Sequence, residues 1–132
     1  MNQAYPFFMF TNCKTEEAIT LYTSIFANTK IENLERWTGE NPMGPAGMIQ
    51  SVVFTIKGTA FRFMDSIGHA HSLTPSTSIF VYCDDEAELR KAHEALMDGG
   101  FALMELGEYP FAKLYCWVQD KFGLTWQLSL LS

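Results

Sequence analysis

Gln127 stands in a strand-like alternation, Thr125 to Leu130. Trp126, Leu128 and Leu130 point one way, while Thr125, Gln127 and Ser129 point the other. The first set suits a greasy core. The second puts a carboxamide among small hydroxyls, which suits a cavity wall offering neutral hydrogen bonds. The same alternation places Arg62 and Ser78 away from the apolar face, together with Phe7, Met9, Met64, Phe80 and Tyr82. Arg62 would be a fixed cation able to grip a carboxylate or a phosphate, with Ser78 and Gln127 adding hydrogen bonds. Its other readings are an exposed strand end or an internal ion pair with Asp65 or Glu105. Trp117, Tyr109, Phe111 and Tyr115 are equally suited to stacking on a flat substrate and to ordinary packing.

The remaining chemistry-bearing residues point to less. His69 and His71 form an HxH in a loop near Asp65, a trio that could bind a metal or move protons. Without an evident fourth ligand, a place on the surface or on a cavity rim is favoured. His93 lies on the packing side of a helix. Cys13, Cys83 and Cys116 are an odd, scattered set with no CxxC, so neither a disulfide framework nor a zinc site is expected. No base neighbours Cys116 in sequence, which favours an inert thiol. No residue is assigned a catalytic role.

The elements that must position these groups occur twice. A short apolar run at Pro6–Phe10 precedes a helix at Glu16–Phe26, with Thr15 as its expected cap and Asn28 as its stop. Strands are expected at Lys30–Trp37, Met48–Ile56 and Ala60–Met64, the last two joined by a Lys57-Gly58 turn. The Gly- and Pro-rich loop Thr38–Gly47 separates the first two. Then the pattern restarts. A strand at Thr77–Cys83 leads to a helix opened by Asp84-Asp85, with Glu88 forming a near capping box and Gly99-Gly100 closing it. Strands follow at Phe101–Leu106, Leu114–Gln119 and Thr125–Leu130, with a turn at Asp120–Gly123. A shift of 71 lays Ala18, Leu21, Tyr22, Ile25 and Phe26 over Leu89, Ala92, His93, Leu96 and Met97. Aligning Gly58 with Gly123 lays Arg62 over Gln127. The chain therefore reads as α+β: two tandem βαβββ modules, at about 5–66 and 77–131, in a single domain of residues 1–132. The modules are expected to form a curved mixed sheet around a cavity, with helices on the outer face.

Composition narrows the function classes. Hydrophobic residues make up 48% and charged residues 18%, a globular balance. The formal net charge of -6, without a basic cluster, argues against nucleic acid or an anionic membrane as partner. No apolar run approaches the roughly 20 residues needed to span a bilayer. The N-terminus lacks the basic and apolar regions of a signal peptide, so a cytoplasmic location is expected.

Four stretches carry a family resemblance: EEAITLYTSIF at Glu16–Phe26, SIFVYCDD at Ser78–Asp85, GEYPF at Gly107–Phe111 and WVQDKFGLTWQL at Trp117–Leu128. With the βαβββ duplication they resemble the vicinal oxygen chelate superfamily, which includes glyoxalase I, extradiol dioxygenases and bleomycin-resistance proteins. The match is closer to its PhnB-like branch, often labelled "demethylubiquinone methyltransferase-like". The resemblance implies a homodimer and, in metal-using members, four ligands from the first and last strands of each module. Those positions fall on Phe7, Arg62, Ser78 and Gln127, of which only Gln127 could coordinate, so no metal and no cofactor are expected. No glycine-rich strand-turn-helix of the kind that cradles a nucleotide cofactor is present. The expected function is binding of a small, optionally anionic, molecule in a metal-free cavity by Arg62, Ser78, Gln127, Phe7, Tyr109 and Trp117. The alternative is a metal-dependent lyase, isomerase or dioxygenase with a rearranged site using His69 or His71.

Overall fold

A computed structural model of the chain describes residues 3–39, 46–66 and 71–132. In the first half, β1 (Phe7–Phe10) leads into α1 (Thr15–Ile25), followed by β2 (Thr29–Arg36), β3 (Ile49–Ile56) and β4 (Thr59–Asp65). The second half repeats the order with β5 (Ser78–Tyr82), α2 (Glu86–Met97), β6 (Phe101–Tyr109), β7 (Ala112–Gln119) and β8 (Thr125–Leu130). The shift of 71 carries α1 onto residues 86–96, one residue short of α2. The chain forms two compact units, residues 1–72 and 73–132. Each holds one four-stranded mixed sheet, in the orders β1-β4-β3-β2 and β5-β8-β7-β6. The two orders are the same once the repeat is applied, as the duplicated pattern predicts. No described helix is long and apolar enough to cross a membrane.

In the first unit, β1 pairs parallel with β4 in a register that sets Phe7 beside Arg62 and Phe8 beside Phe63. Alternation then sends Phe8, Phe10, Phe61 and Phe63 to the helix side, where all are buried. Tyr22, on the inner stripe of α1, is fully buried, with its ring 6.0 Å from Phe54 and 6.4 Å from Phe63. Aromatic contacts of this kind hold the helix on the sheet.

The start of α1 departs from expectation. Lys14 occupies the cap position and makes no side-chain cap bond. The Thr15 hydroxyl is buried without a partner, so Thr15 is not the cap. The Thr15 N–H instead donates to Asp65 Oδ1 at 3.1 Å, while Asp65 Oδ2 accepts from Ile49 N–H at 2.8 Å. One buried carboxylate at the end of β4 therefore satisfies the helix start and the first residue of β3. A carboxylate there also complements the positive end of the helix dipole. Asn28, at φ 57°, turns the chain after the helix as expected.

The second unit follows its sequence signals more closely. Asp85 Oδ1 accepts from Glu88 N–H at 2.8 Å, and Glu88 Oε1 accepts from Asp84 N–H at 2.8 Å. This is a capping box whose return arm reaches one residue further out. After α2 the chain must pass close to β7. A Cβ on Gly100 would lie 2.2 Å from the Gln119 carbonyl oxygen, so only glycine fits. The core side of the sheet carries Ile79, Val81, Leu114, Cys116, Val118, Trp126 and Leu128, all buried against α2 or its flanks. Strand β6 runs to Tyr109, past the expected Leu106, because its irregular pairing with β7 continues to Tyr109 opposite Ala112.

Candidate functional site

The helix-free face of the second unit reads as rows across three strands. Parallel pairing sets Phe80 beside Gln127, and antiparallel pairing sets Trp117 on its other side. The row before is Ser78, Thr125 and Gln119, and the row after is Tyr82, Ser129 and Tyr115. The central strand thus supplies a polar stripe of Thr125, Gln127 and Ser129. Its neighbours supply aromatic walls, Phe80 and Tyr82 on one flank and Tyr115 and Trp117 on the other.

A hydrogen-bond chain crosses this face. The Tyr115 hydroxyl donates to Gln127 Oε1 at 2.5 Å, and Gln127 Nε2 donates to Ser78 Oγ at 2.8 Å. Burial raises the Tyr115 phenol above its usual pKa, which keeps the donor protonated. Thr125 is held separately, its hydroxyl donating to the Thr77 carbonyl at 2.8 Å. Aromatic rings extend the wall: Phe80 lies 5.0 Å from Tyr82 and 6.4 Å from Tyr115, and Tyr115 lies 4.8 Å from Phe111 and 5.4 Å from Tyr109. Phe80, Tyr82 and Phe111 remain 45%, 58% and 53% exposed. A cavity of about 350 Å³ opens beside Tyr109 and Phe111 and is bounded also by Glu108, Pro110, Lys113 and Leu131.

In the first unit, the helix-free face carries Phe7, Met9, Arg62 and Met64. Phe7 is 49% exposed and Arg62 is exposed. Arg62 Nε donates to Ser51 Oγ at 2.9 Å, a partner two residues along β3 from the one it faces across the ladder. Among the described residues no carboxylate pairs with Arg62, and Asp65 is committed to backbone donors instead. The guanidinium therefore keeps its terminal nitrogens for another acceptor.

Of the residues singled out in the sequence, the structure joins Ser78, Gln127 and Trp117 on one face, with Tyr109 reaching it through Tyr115. It joins Phe7 and Arg62 as direct neighbours in the other unit. Sequence reasoning placed Tyr115 among the stacking rings but missed its bond to Gln127, although it shares the alternation of Trp117. Ser51 carried no signal, since its bond to Arg62 depends on register. Among the described residues no group of three His, Cys, Asp or Glu side chains gathers in metal-binding reach. His71 is exposed, and His69 lies outside the described residues. His93 is half-buried with its Nε2 unpartnered, and burial lowers its pKa. Burial pushes the Cys116 thiol up to about 12, on the helix side of the sheet, so it is no nucleophile.

The four positions that bear metal ligands elsewhere in the fold do not fit a divalent ion. In the first unit they are a phenyl ring and a guanidinium. In the second they are a hydroxyl and a carboxamide that are bonded to each other. Divalent sites take several N, O or S donors, usually with anionic ones among them. The helix starts likewise do not fit a nucleotide cofactor, because carboxylates already fill them, Asp65 at α1 and Asp85 at α2.

Two sheets of this order, each with one helix on one face, define the tandem βαβββ fold of the vicinal oxygen chelate superfamily. A family model described as 3-demethylubiquinone-9 3-methyltransferase matches residues 2–129, and the chain belongs to that family, the PhnB-like branch of the fold. The PhnB protein of Bacillus cereus is 38% identical, with 98% of this chain and 99% of that one covered and a TM-score of 0.88. Protein PA1353 of Pseudomonas aeruginosa is 24% identical over 99% of this chain and 98% of that one, with a TM-score of 0.82. The fosfomycin resistance protein FosX of Mesorhizobium loti shares the fold at 12% identity, with coverage of 97% and 90% and a TM-score of 0.62. No protein of curated function matches the chain.

Proposed function

We propose that this protein binds a small molecule, without a metal ion, on the helix-free faces of its sheets. The observation that carries the reading is the second unit's face. A solvated sheet face normally carries charged and short polar side chains. This one exposes Phe80 and Tyr82 around a hydrogen-bonded carboxamide instead. Aromatic walls with a few placed polar groups are the usual lining of a small-molecule site. On the first unit, Arg62 beside Phe7 favours an anionic group on the ligand. Ser78, Gln127, Trp117 and Tyr109 are the proposed contacts of the second unit, and Phe7 and Arg62 those of the first. The superfamily resemblance further supports a homodimer.

Two measurements test this. Elemental analysis of protein purified without chelator is expected to find well under one divalent ion per chain. A stoichiometric ion lost on changing His69 or His71 would establish the metal-dependent alternative. Benzoate, titrated into isotope-labelled protein, is expected to shift the amide signals of Phe7 and Arg62, and Arg62→Gln is expected to abolish the response. An unchanged response in Arg62→Gln would remove the anion contact.

A further inference from the structure

On the side of the second sheet that α2 covers, a cavity of about 270 Å³ opens between α2 and the β6–β7 hairpin. Helix α2 lines it with Glu86 and Arg90, and the hairpin lines it with Glu108 and Lys113. Leu106 and Leu114 add apolar surface. The volume falls just under the ~300–1,000 Å³ of sites for drug-sized ligands, so its occupant is small.

Two of the four charges are already used. Arg90 Nε donates to Glu86 Oε2 at 2.8 Å. That bond and the Arg90 charge hold the Glu86 pKa below its ordinary value, and the charge of Lys113 adds to the effect. Glu108 and Lys113 stand differently. Gly107 pairs with Tyr115 and Tyr109 with Ala112, so Glu108 faces the Lys113–Leu114 step on a strand about 4.8 Å away. Among the described residues, neither closes an ion pair with the other or with a third group. Both are exposed. The cavity therefore presents one open carboxylate and one open ammonium, with the terminal nitrogens of Arg90 on the other wall.

The charge balance selects the ligand. A simple anion would gain Lys113 and Arg90 but meet Glu86 and Glu108. A simple cation would gain Glu108 but meet Lys113 and Arg90. At similar distances the like-charge cost cancels the opposite-charge gain. A molecule that carries both charges within a few ångströms satisfies the two open groups together, and its apolar part covers Leu106 and Leu114. We propose that this cavity binds a free α-amino acid with an aliphatic side chain, its ammonium on Glu108 and its carboxylate on Lys113 and Arg90. The cavity lies across the sheet from Gln127 and uses none of the contacts proposed above, so it stands apart from that reading.

The test uses L-leucine, 4-methylpentanoate, which lacks the ammonium, and 3-methylbutylamine, which lacks the carboxylate. Each is titrated into isotope-labelled full-length protein. Leucine is expected to shift the backbone amide signals of Leu106 and Leu114. Each singly charged analogue is expected to bind about tenfold more weakly, the worth of one hydrogen bond to a charged group. Glu108→Gln and Lys113→Gln change exposed side chains outside any ion pair, so the unfolding midpoint should hold. Each is expected to weaken leucine about tenfold. Lys113→Gln should leave 3-methylbutylamine no weaker, and Glu108→Gln should leave 4-methylpentanoate no weaker. Equal binding of leucine and either analogue overturns the proposal. So does leucine binding that survives both substitutions, a response confined to other residues, or no response to leucine. The benzoate response of Phe7 and Arg62 is expected to be the same in both variants, so the two readings fail separately.

Discussion

Asp120 offers the sharpest check on the register that puts Gln127 where it is. It closes the turn between β7 and β8 and is 2% exposed. Its Oδ1 accepts from Phe122 N–H at 2.9 Å and Leu124 N–H at 3.1 Å, and its Oδ2 accepts from Trp126 Nε1–H at 3.0 Å. Asn at this position keeps the first oxygen but turns an amide N–H₂ toward the indole N–H. Trp126 is fully buried, so that indole donor would lose its acceptor with no water to replace it. A buried donor left unmade costs about 1–3 kcal/mol, and the new amide donors face the same lack. Removing a buried charge offsets part of this. The expected net loss for Asp120→Asn is ~2 kcal/mol, read as a lower urea midpoint by far-UV circular dichroism at unchanged slope. The pairing is isolated by repeating the change in Trp126→Phe, which has no N–H to strand. There Asp120→Asn is expected to cost ~1–2 kcal/mol less. A loss under about 0.5 kcal/mol, or equal losses in both backgrounds, would refute the claim that this carboxylate holds the start of β8 through Trp126.

Three further outcomes are expected. Native protein treated with a thiol reagent at neutral pH should modify exposed Cys13 at once, while buried Cys83 and Cys116 react only on unfolding; fast modification of Cys116 would contradict its burial and raised pKa. His93 has its pKa lowered by burial, against the raising influence of Glu105 and together with that of Arg90. Its contribution to stability is thus whole above the unfolded value of about 6.5 and is lost as pH falls through and below it. His93→Leu should flatten that part of the stability curve between about pH 7 and 5, and an unchanged slope would discount the residue. Asp65→Ala strands the Thr15 and Ile49 N–H groups, and a loss of ~2–4 kcal/mol in urea unfolding is expected; a neutral result would show that water replaces the carboxylate.

Much of the fold was legible because its signals are local. Period-two alternation in β8 sent Trp126 inward, where it is fully buried, and Gln127 outward, where it is part-buried, although Thr125 and Ser129 on Gln127's side are buried as well. Helical spacing set α1 and α2 within a residue of their observed ends. Lys57 and Gly58 adopt positive φ, 47° and 88°, as their hairpin turn requires. The repeat gave the order of elements along each half, and both halves then fold into sheets of matching strand order, an order that the pattern itself did not state. The candidate site was legible only in part: alternation put Ser78 and Gln127 on one face, while Trp117 was read only as a ring able to stack or pack, and what each one touches was not legible.

The sequence by itself thus determined which side of each strand faces the core, because side-chain direction alternates with every residue whatever the strand lies beside. Tertiary structure alone decided the partners. Asp65 reaches the start of α1 across 50 residues of chain, and Ser78 meets Gln127 across 49. Thr15 was misread as a cap for this reason: a distant carboxylate reaches the helix's orphan N–H, which a local pattern cannot encode. Pairing register, not residue type, brings two hydroxyls to opposite flanks of Gln127.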